Sequence, residues 1–397
     1  MSTLTDRRAR AATAALFLTN GALFANMAPR LPEFKERLGL GEASYGLLVT
    51  AWPIGAMIAG MAAGWLIRRF GAGAVAVAGT ILTGAALLGA GLAPGLWLVA
   101  FAFLCGGAMD AITDVAQNSH GLLVQRRYGR SILNSLHALW SVGALIGGLM
   151  AAGAMAAGLP LGVHFGISML IFAAVALAAW RYCLPASAGR TEPEEVADGA
   201  VRTVNPVTRR HIVMPMTALV LIAVAGTMVE DAGNSWATLY LGQGIGAPAA
   251  LAATGYIAMV AAQFIGRILG DGMVDRFGQR AVAQLGGLLV VAGMGLALAF
   301  PSLWGTVAGF AAAGFGVATL VPATMDQADR LPGLAPGTGL TVVSWLMRLG
   351  FLLSPPLIGL MAESWGLRFA LLLVPLTGVV VLLCSPVLRG RSKTTPG

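Results

Sequence analysis

Two stretches of the sequence repeat each other at a fixed spacing of 207 residues. Residues 67–71 (Ile-Arg-Arg-Phe-Gly) recur as residues 274–278 (Val-Asp-Arg-Phe-Gly), and both copies end in Arg-Phe-Gly. The same shift, without gaps, pairs further glycines and prolines: Gly79 with Gly286, Pro94 with Pro301, Gly107 with Gly314 and Gly143 with Gly350. Internal similarity over so long an interval predicts two halves with the same fold.

The composition predicts that most of the protein surface faces lipid. Hydrophobic residues make up 57% of the 397 residues and charged residues only 11%, whereas soluble domains carry roughly a quarter charged residues. A helix that crosses a membrane needs about 20 apolar residues, and such stretches recur along the chain. Runs such as 85–88 (Ala-Ala-Leu-Leu) are apolar on every side, which excludes the alternation of a β-barrel. We therefore predict an all-α membrane protein.

The apolar stretches predict twelve transmembrane helices, arranged as two six-helix bundles related by pseudo-two-fold symmetry. The bundles are expected at 1–184 and 212–397, joined by a polar cytoplasmic linker at 185–211. The predicted spans are 11–29, 44–67, 74–93, 96–118, 132–157, 163–184, 212–240, 250–270, 281–300, 304–325, 337–361 and 369–388.

Basic residues predict the orientation of the chain. If both termini are cytoplasmic, 19 of the 25 Lys and Arg residues fall in or beside cytoplasmic segments and four fall outside. This is the bias expected from the positive-inside rule. The same bias explains the net charge of +8 without a nucleic-acid partner.

The repeated loop resembles a signature of the major facilitator superfamily of secondary transporters. Members carry a Gly-x-x-x-Asp-Arg-x-Gly-Arg-like loop after the second and eighth spans, and Asp275, Arg276 and Gly278 match it. The first copy keeps Arg69 but has Arg68 at the position of the acid. The resemblance implies two six-helix bundles that rock about a central cavity, with these loops acting as conformational latches. Segments 109–118 and 136–141 resemble a bacterial branch described as sugar-permease-like or efflux-like.

Acids inside the predicted spans are candidates for proton coupling. A charged group at the centre of a span costs roughly 2.5–3.5 kcal/mol on insertion scales, so it is retained where it faces water or a partner. Asp110 and Asp114 are four residues apart and share one helix face. His137, which enters the next span from the cytoplasmic end, is expected at about the depth of Asp114. We assign proton coupling to these three residues and Glu230. The alternative is that one acid only hydrogen-bonds a neighbouring helix and that His137 is a satisfied interior histidine.

Arg348 lies within the eleventh predicted span and needs an acid, a carbonyl group or an anionic solute as its partner. Glu230 and Asp231 are the first candidates for this partner, and direct solute binding is the alternative. Of the two acids, Glu230 is expected to face the cavity, with Asp231 as a cap or contact.

Further side chains are candidates for solute binding because amides and indoles bind hydroxylated or planar solutes. Core packing is the alternative for each of them. The complete set for solute binding is Asn20, Asn118, Trp140, Asp231, Tyr256, Gln263, Trp345 and Arg348.

The predicted latch residues are Arg69, Arg267, Asp271, Asp275 and Arg276. Three of them, Arg267, Asp271 and Asp275, follow each other at intervals of four residues, which permits successive ion pairs. Trp52 is interpreted as an anchor at the membrane interface.

Glycines spaced four residues apart predict close helix contacts, since small residues let helix backbones approach in lipid. Such pairs occur at 60 and 64, at 143 and 147, and at 266 and 270.

The sequence as a whole predicts a proton-coupled secondary active transporter of a small polar organic solute, sugar-like or another metabolite, working by alternating access. We expect a monomer in the bacterial inner membrane, with the proton gradient as its energy source and with no cofactor, metal site or catalytic residue. The alternative is a drug/proton antiporter that exports lipophilic cations. It is suggested by the charge of the cavity candidates, which include four acids and one arginine. A membrane enzyme is disfavoured, since His-Glu-x-x-His is missing and no Gly-x-Ser-x-Gly lies in a strand-to-helix context.

Overall fold

The computed structural model describes residues 4–60, 62–128, 132–185, 210–334 and 338–388. Within these ranges the chain contains twelve helices that are long and apolar enough to cross a membrane, and it contains no strand. The prediction of an all-α protein with twelve spans is confirmed. The predicted linker at 185–211 falls almost entirely outside the described residues.

The described residues divide into two compact units, one before residue 186 and one after residue 209, and the short segment Ala249–Ala253 groups with the first unit. The helices of the first unit before residue 195 are α1 (Leu4–Met27), α2 (Leu31–Leu38), α3 (Glu42–Gly60), α4 (Ala63–Phe70), α5 (Ala72–Leu92), α6 (Leu96–Tyr128), α7 (Leu133–Ala156) and α8 (Leu161–Trp180). A 3-10 turn, Ala28–Arg30, joins α1 to α2.

The remaining helices follow residue 209. They are α9 (Arg210–Leu239), α10 (Ala249–Ala252), α11 (Thr254–Phe277), α12 (Gln279–Ala299), α13 (Leu303–Val317), α14 (Leu320–Asp329), α15 (Thr338–Leu346), α16 (Arg348–Trp365), α17 (Leu367–Ala370) and α18 (Leu373–Cys384). A π-helical turn, Tyr240–Gly244, extends α9. Of these helices only α10 belongs to the first unit.

The repeated loop has the same backbone conformation in both units. Gly71 separates α4 from α5 with φ 86°, and Gly278 separates α11 from α12 with φ 84°. Residues with a β-carbon rarely adopt such angles, which explains why glycine occupies both positions. In each copy the arginine guanidinium lies over the ring of the phenylalanine that follows it, at 5.7 Å for Arg69 and 5.4 Å for Arg276.

Glycines let α1 and α7 touch through their backbones. A β-carbon at Gly143 would overlap the carbonyl oxygen of Leu18, and one at Gly147 would overlap that of Ala22. From the other side, Gly21 meets the α7 backbone in the same way. The predicted contact at Gly143 and Gly147 is confirmed, and we call this line of contact the α1–α7 seam.

The other two glycine pairs give opposite results. Gly266 and Gly270 pack against Ala318 and Thr319, so the prediction of a helix contact is confirmed there. The prediction for the pair at 60 and 64 is wrong within the described residues. A β-carbon at Gly60 would meet no atom within 4 Å, and one at position 64 would meet only an arginine side chain of its own helix. Glycine spacing alone does not show which side of a helix has a neighbour.

His120 of α6 bonds the segment after α8 to the interior of the first unit. The side chain is fully buried, and the Leu184 backbone N–H donates to its Nε2 atom at 3.0 Å. Its Nδ1 atom lies 3.1 Å from the Thr13 hydroxyl, which donates its own hydrogen to the Ala9 carbonyl. Nδ1 must therefore carry the ring hydrogen and donate it to Thr13. His120 is a neutral imidazole that bonds to both α1 and the segment after α8.

Replacing His120 with alanine should destabilise the protein more than the same change at His164. His164 is equally buried, but its ring nitrogens have no hydrogen-bond partner among the described residues. The His120 change strands the Leu184 N–H, and a stranded buried donor costs about 1–3 kcal/mol. We expect the free energy of unfolding to fall by about that much more for His120→Ala, measured by denaturant unfolding in detergent. Equal losses in the two variants would show that the Leu184 bond contributes nothing.

Candidate functional site

A hydrogen-bonded cluster of polar side chains lies inside the first unit, centred on Asn20 of α1. The Asn20 side chain is 4% exposed, and its Nδ2 atom donates to Asp110 Oδ1 at 2.7 Å. Its Oδ1 atom accepts from the indole of Trp140 at 2.9 Å and from the amide of Gln117 at 3.2 Å. The Asn20 amide therefore joins α1, α6 and α7. Three of the four residues involved, Asn20, Asp110 and Trp140, were predicted as site residues.

The same cluster continues along α6 to the second acid. Gln117 Nε2 also donates to Asp114 Oδ1 at 3.3 Å, and Asn118 Nδ2 donates to the same oxygen at 3.1 Å. Asp114 is exposed whereas Asp110 is half-buried. We call the residues Asn20, Asp110, Asp114, Gln117, Asn118 and Trp140 the amide–acid cluster.

Helix geometry and the α1–α7 seam together build this cluster. Asp110, Asp114 and Asn118 recur every four residues, so they share one face of α6, as predicted. Asn20 is adjacent to the seam glycine Gly21, and Trp140 comes one turn before the glycines of α7. The backbone contact at the seam therefore holds the Asn20 amide within hydrogen-bonding distance of the Trp140 indole.

Two residues, Gln117 in the cluster and Trp52 beside it, were not predicted as site residues. Gln117 is fully buried and lies seven residues after Asp110, a spacing that places it on the acidic face of α6. Trp52 was interpreted as an interface anchor, and this interpretation is wrong. It lies in the middle of α3, is 7% exposed, and packs against Gly106 and Gly107 of α6, one turn before Asp110. By contrast, Trp97, the second residue of α6, is 84% exposed.

His137 lies one turn before Trp140 on α7, toward the start of the helix. Its side chain is exposed, and its ring packs edge-on against the ring of Phe17 with 5.2 Å between centroids. Trp140 rather than His137 supplies the α7 bond to Asn20. The role of His137 in proton coupling stays a prediction.

In the second unit, the described structure pairs Glu230 of α9 with Arg267 of α11 at 4.0 Å. The predicted pairing with Arg348 is wrong for the described residues, among which Arg348 forms no ion pair or hydrogen bond. The reason is helix geometry. Gly350 of α16 packs against Thr227 of α9, and Arg348, two residues earlier, projects about 200° away around the helix.

The predicted ladder of ion pairs along α11 is also wrong. Arg267 is directed to Glu230, and within the described ranges neither Asp271 nor Asp275 forms an ion pair. An arginine that precedes an acid by four residues is the weaker orientation of such a pair, so the acid on α9 competes successfully. Arg69 and Arg276 stack on neighbouring phenylalanines, as described above, and their latch role stays a prediction.

The remaining candidates of the second unit differ in exposure. Asp231 is 6% exposed and accepts a hydrogen bond from Ser235 Oγ at 3.2 Å, which matches the predicted role of a cap or contact better than solute binding. Tyr256 and Gln263 are buried in α11, at 1% and 5% exposure, whereas Trp345 is 59% exposed. Their predicted contacts with a solute stay predictions.

A double-mutant cycle should show that Glu230 couples to Arg267 and not to Arg348. The pair is long and partly exposed, and such pairs contribute about 0.2–1 kcal/mol. We expect a coupling energy in this range for Glu230→Gln with Arg267→Gln, measured from unfolding free energies. The matched cycle with Arg348→Gln should give additive effects. A larger coupling energy in the Arg348 cycle would contradict the observed pairing.

These features define a multi-pass membrane protein built from two helical units, with ionisable groups bonded inside its spans. The sequence profile described as Major Facilitator Superfamily matches residues 13–331 and 251–397. A Sinorhizobium fredii protein described as the uncharacterized transporter y4wD is 32% identical over 95% of this chain and 97% of its own length. Membrane protein MosC of Rhizobium meliloti is 28% identical over 96% of this chain and 90% of its own. The chain belongs to the major facilitator superfamily.

Solved structures support the same fold. The nucleoside transporter NupG, in a variant form, superposes with a TM-score of 0.74 at 13% identity, over 95% of this chain and 98% of its own. A bacterial homologue of the human lysosomal transporter Spinster gives 0.68 at 16% identity, over 98% and 97% of the two chains. These similarities confirm the fold predicted from the repeat.

Proposed function

We propose that this protein is a proton-coupled secondary active transporter of a small polar organic solute, working by alternating access. The proposal places it in the bacterial inner membrane as a monomer with both termini cytoplasmic, and makes the proton gradient its energy source. The observation that carries it is the amide–acid cluster, in which Asn20 bonds an ionisable acid, Asp110, and an aromatic side chain, Trp140.

Asp110 is suited to carry the coupling proton. A hydrogen bond donated by an amide stabilises an ionised carboxylate within a membrane span. Removing the carboxyl group from water favours its neutral form instead. Both states are therefore accessible when the proton supply changes. Transport is coupled when proton and solute bias the same two-state equilibrium through different affinities for the two states.

The cluster also suits a polar, planar or hydroxylated solute. The Trp140 indole N–H already donates to Asn20, so its half-buried ring offers an apolar face rather than a hydrogen bond. Asp114 is exposed and can accept hydrogen bonds from hydroxyl or amino groups. A ring face beside a hydrogen-bond acceptor is a combination that binds sugars and nucleosides. The structural similarity to a nucleoside transporter makes nucleosides a sensible part of a first panel.

The exporter of lipophilic cations is the second candidate, and it depends on acids that are free to attract a cation. In the second unit Glu230 pairs with Arg267, and Asp231 is buried and bonded to Ser235. This leaves Asp110 and Asp114, both of which accept hydrogen bonds from amide side chains. Fewer acids are therefore available to attract a cation than the sequence suggested, which favours transport of a polar solute over export of a lipophilic cation.

Flux measurements in proteoliposomes test the proposal. A thermal-shift screen of the purified protein against sugars, nucleosides and other small metabolites would identify a ligand. We expect saturable uptake of that ligand, accelerated by an imposed inward proton gradient. Export of a cationic dye driven by the gradient, without uptake of any polar ligand, would instead support the exporter. Ligand binding without flux in either direction would contradict transport and indicate a sensor.

A further inference from the structure

We propose that Asn20 is a positioning residue that transmits the protonation state of Asp110 to Trp140. The transport consequence rests on the proposed function, whereas the link between the two side chains is a property of the first unit alone. The observations that support it are the directions of the three hydrogen bonds made by one buried amide.

The chemistry of the partners fixes the orientation of the Asn20 amide. An indole N–H and an amide NH2 can only donate, so the atom of Asn20 that faces Trp140 and Gln117 must be the oxygen. The NH2 group then points to Asp110, 2.7 Å away. Rotating the amide by half a turn would set its NH2 against two donors and its oxygen against a carboxylate. The amide therefore has one stable orientation while Asp110 is ionised.

Protonation of Asp110 weakens the bond that fixes this orientation. A hydrogen bond to a charged acceptor is roughly twice as strong as one between neutral groups, so the neutral acid holds the Asn20 NH2 less firmly. Moreover, a protonated carboxyl is itself a donor, and the only acceptor that the Asn20 side chain offers it is the oxygen that already accepts from Trp140 and Gln117. Competition for that oxygen loosens the indole and the Gln117 amide. Because Gln117 also donates to Asp114, the change reaches the exposed acid.

The charged and titratable groups around Asp110 are few. On its own helix, Asp114 lies one turn away and His120 is bonded to Thr13 and Leu184. The other such groups of α6 are Cys105 and, in its last turn, Arg126, Arg127 and Tyr128. On α7 the only such group is His137. The acidic and basic residues of α1 lie in its first two turns, and α5 carries none. Near its start α3 carries Glu42 and Tyr45, and α4, which also packs against α6, carries Arg68 and Arg69 at its end. Among the described groups, Asp114 and His137 each lie one turn from a member of the cluster, Asp110 and Trp140 respectively, so these two compete with Asp110 for control of the cluster.

Infrared difference spectroscopy of the purified full-length protein tests the inference without a substrate. The band of a protonated carboxyl that Asp110→Asn removes reports on Asp110, and its titration gives a midpoint pH. Asn20→Leu removes the bond donated to the ionised acid and should move this midpoint upward by about one pH unit or more. Trp140→Phe, which removes one donor that aligns the amide, should move it in the same direction by less.

Asn26→Leu is the matched control. Asn26 is a fully buried amide on the same helix, but it bonds to Ala22, Met150 and Ser168 and to neither acid. Its loss should leave the Asp110 midpoint unchanged, whatever it does to stability. The inference is overturned if Asp110 shows no titrating band, if Asn20→Leu leaves the midpoint in place, or if Asn26→Leu moves it equally.

Trp140 fluorescence gives the second half of the test. The component of the emission that Trp140→Phe removes should change with pH in the native protein and lose that dependence in Asn20→Leu. A pH-dependent Trp140 component that survives in Asn20→Leu contradicts the link. If the spectroscopic link is observed but no polar solute is transported, the proposed function fails while the role of Asn20 stands.

Discussion

Replacing Asp110 with asparagine is expected to abolish accumulation of the solute against its gradient while leaving exchange of solute across the membrane. Asparagine resembles the neutral acid in shape, and its oxygen can still accept the Asn20 bond, so the cluster stays folded. It has no proton to release, so solute and proton are no longer linked. Coupling between two ligands is typically worth 5- to 150-fold in affinity, so we expect the ratio of inside to outside solute to fall by about that factor, to the value that equilibration without a proton gradient gives.

The measurement compares two assays on the same proteoliposomes, namely uptake driven by a pH gradient and exchange of labelled for unlabelled solute at equal pH. Asp114→Asn is the matched control, because this acid lies on the same helix face but is exposed and accepts from the neighbouring amides of α6. It should alter solute affinity with smaller loss of accumulation. Retained accumulation in Asp110→Asn would remove Asp110 from the proton pathway.

The fold was predictable because the repeat and the composition act over the whole chain. A spacing of 207 residues between two copies of a glycine loop requires two similar units, and both loop glycines do adopt positive φ angles. Twelve apolar stretches then leave little choice of architecture. The contact at Gly143 and Gly147 was indicated by a four-residue glycine spacing, which lets helix backbones approach in lipid, but the same spacing at 60 and 64 has no such contact.

Partners of ionisable side chains were much less predictable, since they depend on how each helix is rotated. Asp110 and Asp114 could be placed on one face of α6 from their spacing alone. A sequence does not specify this rotation. It therefore did not show that Asn20 bonds to Asp110, or that Arg267 rather than Arg348 pairs with Glu230. Trp52 was misassigned because the end of its span was predicted seven residues beyond the end of α3, at 67 instead of Gly60.

The second large effect is expected at the α1–α7 seam, where Gly143→Leu should prevent stable folding of the first unit. A β-carbon at this position would overlap the Leu18 carbonyl oxygen, which belongs to a helix backbone and cannot rotate away as a side chain can. Overpacking usually costs 1–3 kcal/mol, occasionally more, and we expect at least about 3 kcal/mol here. Loss of monodisperse protein in detergent and a lowered unfolding midpoint would show it.

Gly153→Leu provides the control on the same helix, because a β-carbon there meets no atom within 4 Å. The comparison separates two explanations of how α1 and α7 associate. If burial of apolar side chains held them together, an added leucine would strengthen the contact or leave it unchanged. In lipid, burial of apolar side chains does not drive helices together, and close backbone packing replaces it. The same leucine must therefore disrupt the seam at 143 and be tolerated at 153.

The seam also aligns Asn20 with Trp140. A Gly143→Ala variant that still folds in part should therefore lose the pH response of Trp140 fluorescence.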